Sequence, residues 1–238
     1  MSIQQCLSTL ILFVFSSTLW VISRVQEVFS FQTLKMLAQL VGASYDEGKQ
    51  LTDELKIPPH VAVLLGEEQK EVDLQVLYDF IYYSSSHGMQ RLSFYDSDGI
   101  LKSMMSRIED GWERYSKQRG FFKNVVFSKS QDGNSHPGRL TVHFWNKNDG
   151  RELMVDICKE LIRSPLPITT ERVSSKLASK GVHEVDFLLA VGGLDGFPAW
   201  ALRVAEIQEL AAWPERLNES SYRSLLRCFS SRDRRLGR

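Results

Sequence analysis

Hydrophobic residues along this chain fall into short continuous runs separated by longer amphipathic stretches. A continuous run of about four to eight apolar residues is typical of a strand that is buried on both faces of a parallel sheet. We predict strands at four such runs: His60–Leu65, Arg91–Tyr95, Arg139–Trp145 and Val185–Ala190. Apolar residues at helical spacing and helix-capping residues predict helices over Val72–His87, Leu101–Gln118, 151–163 and 169–180.

The alternation of strands and helices predicts the fold class. Parallel strands need a crossover connection, which is right-handed in nearly all proteins, and a helix usually supplies it. The order therefore indicates an α/β domain with a mostly parallel central sheet flanked by helices. Because ligands of such domains bind beyond the carboxyl ends of the strands, we expect functional groups in the loops that follow the strands.

The N-terminal segment is apolar and carries no charged side chain from Met1 to Ile22. A helix of about 20 such residues just crosses a hydrocarbon core of about 30 Å. Trp20 lies where an interfacial aromatic residue belongs, and Arg24 follows the run. Residues 1–24 are therefore predicted to be a transmembrane anchor with the following domain in the cytosol, and a buried N-terminal core helix is the alternative. Glycosylation at the Asn218 sequon would contradict the cytosolic placement.

Two further segments follow the predicted anchor. Residues 25–57 include the amphipathic stretch Phe31–Leu40 and are predicted to be a helical connector. Pro58 and Pro59 stop any helix and begin an extended segment. We therefore expect the globular domain to span residues 58–238.

Net charge and cysteine content exclude several classes of protein. Lys and Arg together number 29, as do Asp and Glu, so the chain has no overall field that would attract nucleic acid. The three cysteines are far apart in the sequence, which argues against a disulfide framework and fits a reducing compartment. No two of the five histidines have the spacing of helical zinc ligands, so we expect surface or core histidines and no metal ligands.

A glycine-rich turn follows the last predicted strand. Residues 191–200 lead from that strand into a predicted helix that carries Arg203 and Glu206. Such a turn can offer backbone N–H groups to phosphate, yet its spacing is neither that of a dinucleotide-binding loop nor that of a P-loop. The residues are consistent with either a phosphate site or a structural turn. Arg203 and Glu206 form either a helix-surface pair or part of an interface or site.

Several segments resemble a known family. The pattern of Asp186–Leu189 and Gly196–Ile207 is similar to the C-terminal signature of the Nogo-B receptor family, the accessory subunits of eukaryotic cis-prenyltransferases. His60–Val63 and Phe94–Lys102 are similar to segments of the plant members. The last residues, 235–238, match the terminal Arg-x-Gly motif of that family.

Two departures from the catalytic members indicate an incomplete site. In those members the first strand precedes an Asp that helps to hold Mg²⁺ on the diphosphate, whereas Gly66 follows the strand here. Gly66 has no side chain to bind a metal, and Glu67 and Glu68 are interpreted as solvated surface carboxylates. Catalytic members also use an Arg on the diphosphate at a segment that reads Ala190–Leu194 in this chain. The cation that would neutralise diphosphate is therefore missing.

The resemblance implies a membrane-anchored accessory subunit of the endoplasmic reticulum that is inactive alone. Its complex would condense isopentenyl diphosphate onto farnesyl diphosphate and make dehydrodolichyl diphosphate for dolichol synthesis and protein glycosylation. A catalytic cis-prenyltransferase subunit is the implied partner and would bind most of the Mg²⁺. Arg235, Leu236 and Gly237 are implied to reach into the partner's site, where Arg235 binds isopentenyl diphosphate and Gly237 permits close backbone approach. A frayed basic tail is the alternative.

We expect partner binding in the C-terminal half, which offers large apolar side chains: Trp200, Trp213, Leu225, Leu226 and Phe229. The same residues are equally typical of a hydrophobic core. A non-enzymatic membrane receptor or scaffold that keeps the prenyltransferase fold is the main alternative function. A self-sufficient homomeric prenyltransferase is a second alternative, which Gly66 and Ala190 disfavour.

Overall fold

The computed structural model describes residues 55–66, 72–121, 125–128, 138–194 and 196–232. The predicted anchor, nearly all of the predicted connector, and residues 235–238 lie outside this part of the chain. Among the described helices, none has both the length and the apolar character that a membrane crossing requires.

In the described part of the chain, six strands form one sheet and six α-helices pack around it. The elements are β1 (His60–Leu64), α1 (Leu74–Ser86), β2 (Arg91–Tyr95), α2 (Ile100–Ser103), α3 (Met105–Gln118), β3 (Val125–Phe127), β4 (Leu140–Trp145), α4 (Arg151–Ile162), α5 (Thr170–Ser179), β5 (Phe187–Val191), β6 (Glu206–Leu210) and α6 (Glu219–Ser230). Short 3₁₀ helices occupy Lys147–Asp149 and Ala199–Leu202.

The sheet is parallel throughout and has the strand order β3-β4-β2-β1-β5-β6. Its two faces carry separate apolar clusters. Val61 and Val63 of β1 pack with α1, α3 and α6 on one face, and Ala62 and Leu64 pack with α4 and α5 on the other. Burial of successive residues on opposite faces explains why the strand is continuously apolar. The predicted fold class, a mostly parallel sheet flanked by helices, is confirmed.

Local sequence signals fix the ends of several helices. Asp73 caps α1 by accepting a hydrogen bond from the Gln75 amide at 2.8 Å. Gly88 follows the end of that helix with φ of +79°, a conformation that glycine adopts without a Cβ penalty. Thr169 caps α5 by accepting a hydrogen bond from the Arg172 amide at 3.4 Å, so this helix begins within the predicted range 169–180. The predicted helix over Leu101–Gln118 is instead divided at Met104 into α2 and α3.

The prediction of a helix carrying Arg203 and Glu206 is wrong. A four-residue 3₁₀ helix ends at Leu202, and Glu206 begins strand β6. The Glu206 amide donates a hydrogen bond to the Asp186 carbonyl at 2.9 Å, and Glu206 is paired with Phe187 in the ladder. The backbone groups of residues 206–210 therefore pair with β5 instead of forming the hydrogen bonds of a helix. Strand β3 and helix α6 were also absent from the sequence-based prediction.

Candidate functional site

The carboxyl ends of β1, β2, β4 and β5 meet at one edge of the sheet, because neighbouring parallel strands point the same way. We call this edge the carboxyl edge. The loops that begin there start at Leu65, Asp96, Asn146 and Gly192. This is the position at which parallel α/β domains bind ligands, and it includes both predicted departures from the catalytic sequence pattern.

Gly66 lies against the backbone of β5. A Cβ added at Gly66 would lie 2.6 Å from the Val191 carbonyl oxygen, inside van der Waals contact. The sequence indicated only that residue 66 lacks a metal-binding side chain. The geometry adds that residue 66 has no room for one. Glu67 and Glu68 lie outside the described residues.

The turn after β5 folds across the carboxyl edge. Gly192 and Gly196 adopt φ of +83° and +73°, a left-handed conformation that glycine adopts without a Cβ penalty. The Phe197 ring then packs at 5.2 Å from the Tyr95 ring and 5.8 Å from the Trp145 ring, measured between centroids. These contacts cover the ends of β2 and β4 with an aromatic cluster.

Close backbone packing holds this turn in place. A Cβ at Gly150 would lie 2.3 Å from the Gly196 carbonyl oxygen, so that oxygen sits directly against the start of α4. Ala190, at the predicted site of the missing Arg, is 2% exposed and belongs to the apolar cluster that includes Ala62 and Leu64 of β1. An arginine at residue 190 would have to bury a charged side chain within that packed apolar cluster, which is unfavourable. Because only a four-residue 3₁₀ helix follows the turn, the geometry favours a structural turn over a phosphate site.

Polar groups at the carboxyl edge are bonded to one another. Asp96 accepts the backbone amides of Ile100 at 2.7 Å and Leu101 at 3.1 Å, and burial raises the pKa of its carboxyl group. The Asp149 carboxylate accepts two hydrogen bonds from the Lys102 ammonium, at 3.0 and 2.9 Å. Both carboxylates thus have fixed internal partners.

These residues do not fit a magnesium site. Mg²⁺ takes carboxylate oxygens and water in a near-octahedral arrangement. Asp96 and Asp149 are occupied by amides and by a cation, and residue 66 has no room for a carboxylate. Throughout the described ranges, no group of three His, Cys, Asp or Glu side chains is placed to hold a metal ion. A cavity of about 20 Å³ beside Lys102 and Asp149 is large enough for about one water molecule.

Arg203 and Glu206 lie apart and bind different partners, so the helix-surface pair, one of the two alternatives, is wrong. The Arg203 guanidinium contacts the Glu184 carboxylate at 2.7 Å and lies 5.2 Å from the Trp200 ring centroid. Glu206 instead contacts Arg232, with 3.1 Å between Nη1 and Oε2. The two residues do not share a helix, because the 3₁₀ helix ends at Leu202 and β6 begins at Glu206.

Three of the five predicted apolar anchors belong to the core. Trp213, Leu226 and Phe229 are buried in the cluster that includes α1 and α6. Leu225 and Trp200 are half-buried, and the Trp200 indole donates a hydrogen bond to Ser174 Oγ at 3.0 Å. The interpretation as partner contacts is therefore wrong for Trp213, Leu226 and Phe229, because the hydrophobic core of this chain already buries them.

His60 of β1 and His143 of β4 are buried, and the His143 ring lies 5.4 Å from the His183 ring, measured between centroids. His60 places Nδ1 2.7 Å from the Glu184 carbonyl oxygen and Nε2 2.8 Å from Ser93 Oγ. Burial, followed by the neighbouring His183 and Arg91 charges, lowers the pKa of His143 to about 3. Burial likewise lowers the pKa of His183 to about 4. His60 and His143 are core histidines, as expected.

The predicted tail residues Arg235, Leu236 and Gly237 lie outside the described residues. Arg232 belongs to the basic C-terminal end of the chain, for which a frayed tail was the alternative. It is instead bound to the outer strand of the sheet. Sequence reasoning missed this contact because it did not predict strand β6, which supplies the partners of Arg232.

Comparisons with known proteins identify relatives of this chain. No family model matches it. It is 28% identical over 204 residues to the dehydrodolichyl diphosphate synthase complex subunit Nus1 of Mus musculus, covering 77% of this chain and 67% of that protein. It is 27% identical to the corresponding NUS1 subunit of Homo sapiens, covering 77% and 68%. The Schizosaccharomyces pombe subunit is 25% identical over 171 residues, covering 64% and 66%.

Solved structures share the fold. A probable undecaprenyl diphosphate synthase from Campylobacter jejuni matches with a TM-score of 0.54 and 16% identity, covering 78% of this chain and 100% of that chain. Lavandulyl diphosphate synthase from Lavandula x intermedia, solved with dimethylallyl diphosphate, matches with a TM-score of 0.56 and 14% identity, covering 76% and 99%. The expected resemblance to the accessory subunits is confirmed, and the fold is cis-prenyltransferase-like.

Proposed function

We propose that this chain is the membrane-anchored accessory subunit of a heteromeric cis-prenyltransferase of the endoplasmic reticulum. It stabilises a catalytic partner and contributes Arg235, Leu236 and Gly237 to the partner's site. The complex condenses isopentenyl diphosphate onto farnesyl diphosphate and makes dehydrodolichyl diphosphate for dolichol synthesis and protein glycosylation. The chain alone does not turn over these substrates.

One observation carries the proposal: the prenyltransferase fold is kept while the carboxyl edge is filled by the chain itself. Gly66 lies against β5, and Phe197 covers the ends of β2 and β4. The relatives' names add support, because each is a subunit of a dehydrodolichyl diphosphate synthase complex. A closed edge in a subunit of such a complex favours a supporting role beside a catalytic partner.

The chemistry explains what a donated arginine would do. In the condensation the allylic C–O bond breaks and diphosphate leaves with the bonding electrons. The isopentenyl double bond attacks the allylic carbon, and loss of a proton restores a double bond. Both substrates carry diphosphate groups, which Arg binds through two parallel N–H donors. Arg235 would orient isopentenyl diphosphate, and Gly237 would let the backbone approach it. Mg²⁺ would neutralise the leaving diphosphate on residues of the partner.

Co-expression with a catalytic cis-prenyltransferase subunit tests the proposal. Complex formation and polyprenyl synthesis are measured together for the wild-type chain, for Arg235→Ala and for a variant that lacks residues 235–238. Loss of a charged hydrogen-bonding group from a diphosphate site lowers kcat/KM by about ten-fold or more. Arg223→Ala is the matched control. It removes the same charge, and the Arg223 side chain is half-exposed on α6.

Each outcome separates the possible functions. Loss of turnover with an intact complex in the two tail variants, and not in Arg223→Ala, supports the donated tail. Unchanged turnover in both tail variants contradicts it. Complex formation without any increase in turnover over the partner alone favours the scaffold alternative. Turnover by the purified chain alone contradicts the accessory role.

The membrane part of the proposal has its own test. Deletion of residues 1–24 is expected to move the complex from the membrane fraction to the soluble fraction, because about 20 apolar residues are lost. A complex that stays in the membrane fraction after this deletion contradicts the assignment of the anchor to residues 1–24.

A further inference from the structure

The end of α4 and its connection to α5, residues 162–168, expose large apolar side chains to solvent. Ile162, Leu166 and Ile168 are 71%, 61% and 55% exposed, more than any other large apolar side chain among the described residues. Val155 is 43% exposed and lies two turns before Ile162 on the same face of α4. Such a concentration of exposed apolar side chains marks a binding surface. We call residues 162–168 the apolar loop.

Hydrogen bonds hold the apolar loop in one conformation. The Arg172 guanidinium donates to the Leu166 carbonyl at 2.6 Å, to the Pro167 carbonyl and to Ser164 Oγ at 3.0 Å. The ring of Pro167 also fixes the φ angle of its own residue. A loop that is already ordered loses little conformational freedom on binding, which favours its use as a contact surface.

The segment around the apolar loop is basic, although the whole chain has no net charge. Residues 159–180 contain five Lys and Arg side chains and two Glu side chains, which gives a net charge of +3. Arg163 is exposed and directly follows Ile162. Apolar side chains flanked by cations are suited to an anionic bilayer, because the former enter the boundary between headgroups and acyl chains and the latter attract the headgroups.

The apolar loop lies toward the edge of the sheet where the strands begin, which we call the amino edge. Helix α4 begins at the carboxyl edge, where Gly150 lies against the Gly196 carbonyl oxygen. Helix α5 ends there too, because the Gly181 carbonyl accepts a hydrogen bond at 3.0 Å from the indole of Trp145, the last residue of β4. The connection between the two helices therefore lies at their far ends, toward the amino edge.

The chain also enters the described part of the domain at the amino edge, because residues 55–59 lead directly into β1. The Lys56 amide donates a hydrogen bond to Ser230 Oγ at 3.1 Å, which holds this entry against the end of α6. The proposed anchor would therefore be joined to the domain at the edge that carries the apolar loop. This step alone rests on the proposed function, since the apolar and basic character of the loop is independent of the anchor.

We propose that the apolar loop docks on an anionic lipid surface. Leu166 and Ile168 enter the boundary between headgroups and acyl chains, and Arg163 with the neighbouring cations binds the headgroups. This contact goes beyond the proposed function, which assigns membrane contact to residues 1–24. It turns the amino edge of the sheet toward the bilayer.

Amide hydrogen exchange of the full-length chain in vesicles tests the inference. The chain is reconstituted into vesicles of phosphatidylcholine, with or without phosphatidylserine, and exchange is followed by mass spectrometry over peptides that cover residues 161–169. Exchange should be at least about five-fold slower with phosphatidylserine, because each cation near an anionic surface favours contact by about that factor. Peptides of α3, which packs on the other face of the sheet, should exchange equally in both kinds of vesicle.

Variants identify the side chains that make the contact. The double variant Leu166→Ser, Ile168→Ser should abolish the difference between the two kinds of vesicle, because burial of each side chain is worth about ten-fold in an equilibrium constant. Arg163→Gln should weaken the contact about five-fold. Ile100→Ser is the matched control, since Ile100 is 40% exposed and begins α2 at the carboxyl edge. Thermal unfolding should change little in all of them, because the substituted side chains are exposed.

Each outcome decides for or against the inference. Protection that needs phosphatidylserine, is lost in the double variant and persists in Ile100→Ser supports it. Equal exchange in both kinds of vesicle contradicts it. Protection without lipid that grows with protein concentration, or that needs the catalytic subunit, assigns the apolar loop to a second copy or to the partner and also contradicts it.

Flotation of the same vesicles reports on the anchor separately. A chain that floats with phosphatidylcholine vesicles and shows no protection of the apolar loop keeps the anchor and overturns the inference. A chain that floats only with phosphatidylserine, and not as the double variant, overturns the anchor and supports the inference. A chain that floats with neither kind of vesicle overturns both.

Discussion

The contact between Gly66 and β5 leads to a quantitative prediction about the closed carboxyl edge. A Cβ at residue 66 would lie 2.6 Å from the Val191 carbonyl oxygen, whereas ordinary contact begins near 3.4 Å. The loop and the strand would therefore have to separate by roughly 0.8 Å in Gly66→Ala. Val191 is the last residue of β5 and is paired with Leu210 of β6, so the ladder resists this movement.

The expected cost follows from the overpacking. Extra atoms in a well-packed site cost about 1–3 kcal/mol. For a chain of this size about 1 kcal/mol lowers Tm by about 2–4 °C, so Gly66→Ala should lower Tm by roughly 2–12 °C. Gly66→Asp should lower it at least as much, because its carboxylate would also lie close to a carbonyl oxygen. Gly66→Asp should remain without turnover when the chain is assayed alone with Mg²⁺, since residue 66 has no room to present a ligand.

Thermal unfolding of the purified full-length chain, followed by circular dichroism, measures these shifts. Gly120→Ala is the control, because Gly120 has φ of +61° and no atom within 4 Å of an added Cβ. It reports the cost of a left-handed residue without a contact, about 1 kcal/mol. A Gly66→Ala chain that unfolds within about 1 °C of the wild type would refute the packing argument. Turnover of prenyl diphosphates by purified Gly66→Asp would refute the claim that the edge is closed to a metal ligand.

Three other predictions concern stability. The pKa of His143 is lowered to about 3 in the folded chain, so as pH falls below about 6.5 this histidine takes up a proton in the unfolded chain and not in the folded one. The free energy of unfolding should therefore fall by roughly 1 kcal/mol between about pH 7 and 5.5. Urea titrations at these pH values should show a smaller fall for His143→Gln. Asp79→Ala should cost about 2–3 kcal/mol in the same assay, because the buried Asp79 accepts the Tyr115 hydroxyl, and a loss below about 0.5 kcal/mol would contradict this. Asn218 caps α6 by accepting the Ser221 amide at 2.8 Å, so Asn218→Ala should cost about 1 kcal/mol and Asn218→Ser much less, with equal losses counting against the cap.

Much of the fold followed from local patterns. The prediction of β2 as Arg91–Tyr95 agrees with the structure at both ends, and β1 differs by one residue. These strands could be predicted because burial on both faces makes each of them apolar without interruption. The sequence also limited the N-cap of α5 to Thr169 or Thr170, and Thr169 is the cap, since a helix end depends on a few adjacent residues.

The candidate site was only partly predictable. The resemblance implied that Gly66 and Ala190 stand where the catalytic members carry metal-binding and anion-binding side chains, and the identity of both residues is visible in the sequence. The sequence did not indicate that Arg203 pairs with Glu184 and Glu206 with Arg232, because the two residues of each pair lie in segments distant along the chain. Edge strand β6 was interpreted as helix because its burial pattern is mixed and its pairing to β5 is a long-range interaction.

The sequence by itself determined the α/β class, the strand positions in the centre of the sheet and two departures from the pattern of the catalytic members of the family that it resembles, because each of these depends on residue type and local periodicity. Tertiary structure decided that residue 66 has no space for a side chain, that Phe197 covers the strand ends, and that Trp213 and Phe229 belong to the core. It also decided that Arg232 binds the edge of β6. Each of these features depends on contacts between segments that are distant along the chain, and close packing establishes those contacts only in the folded structure.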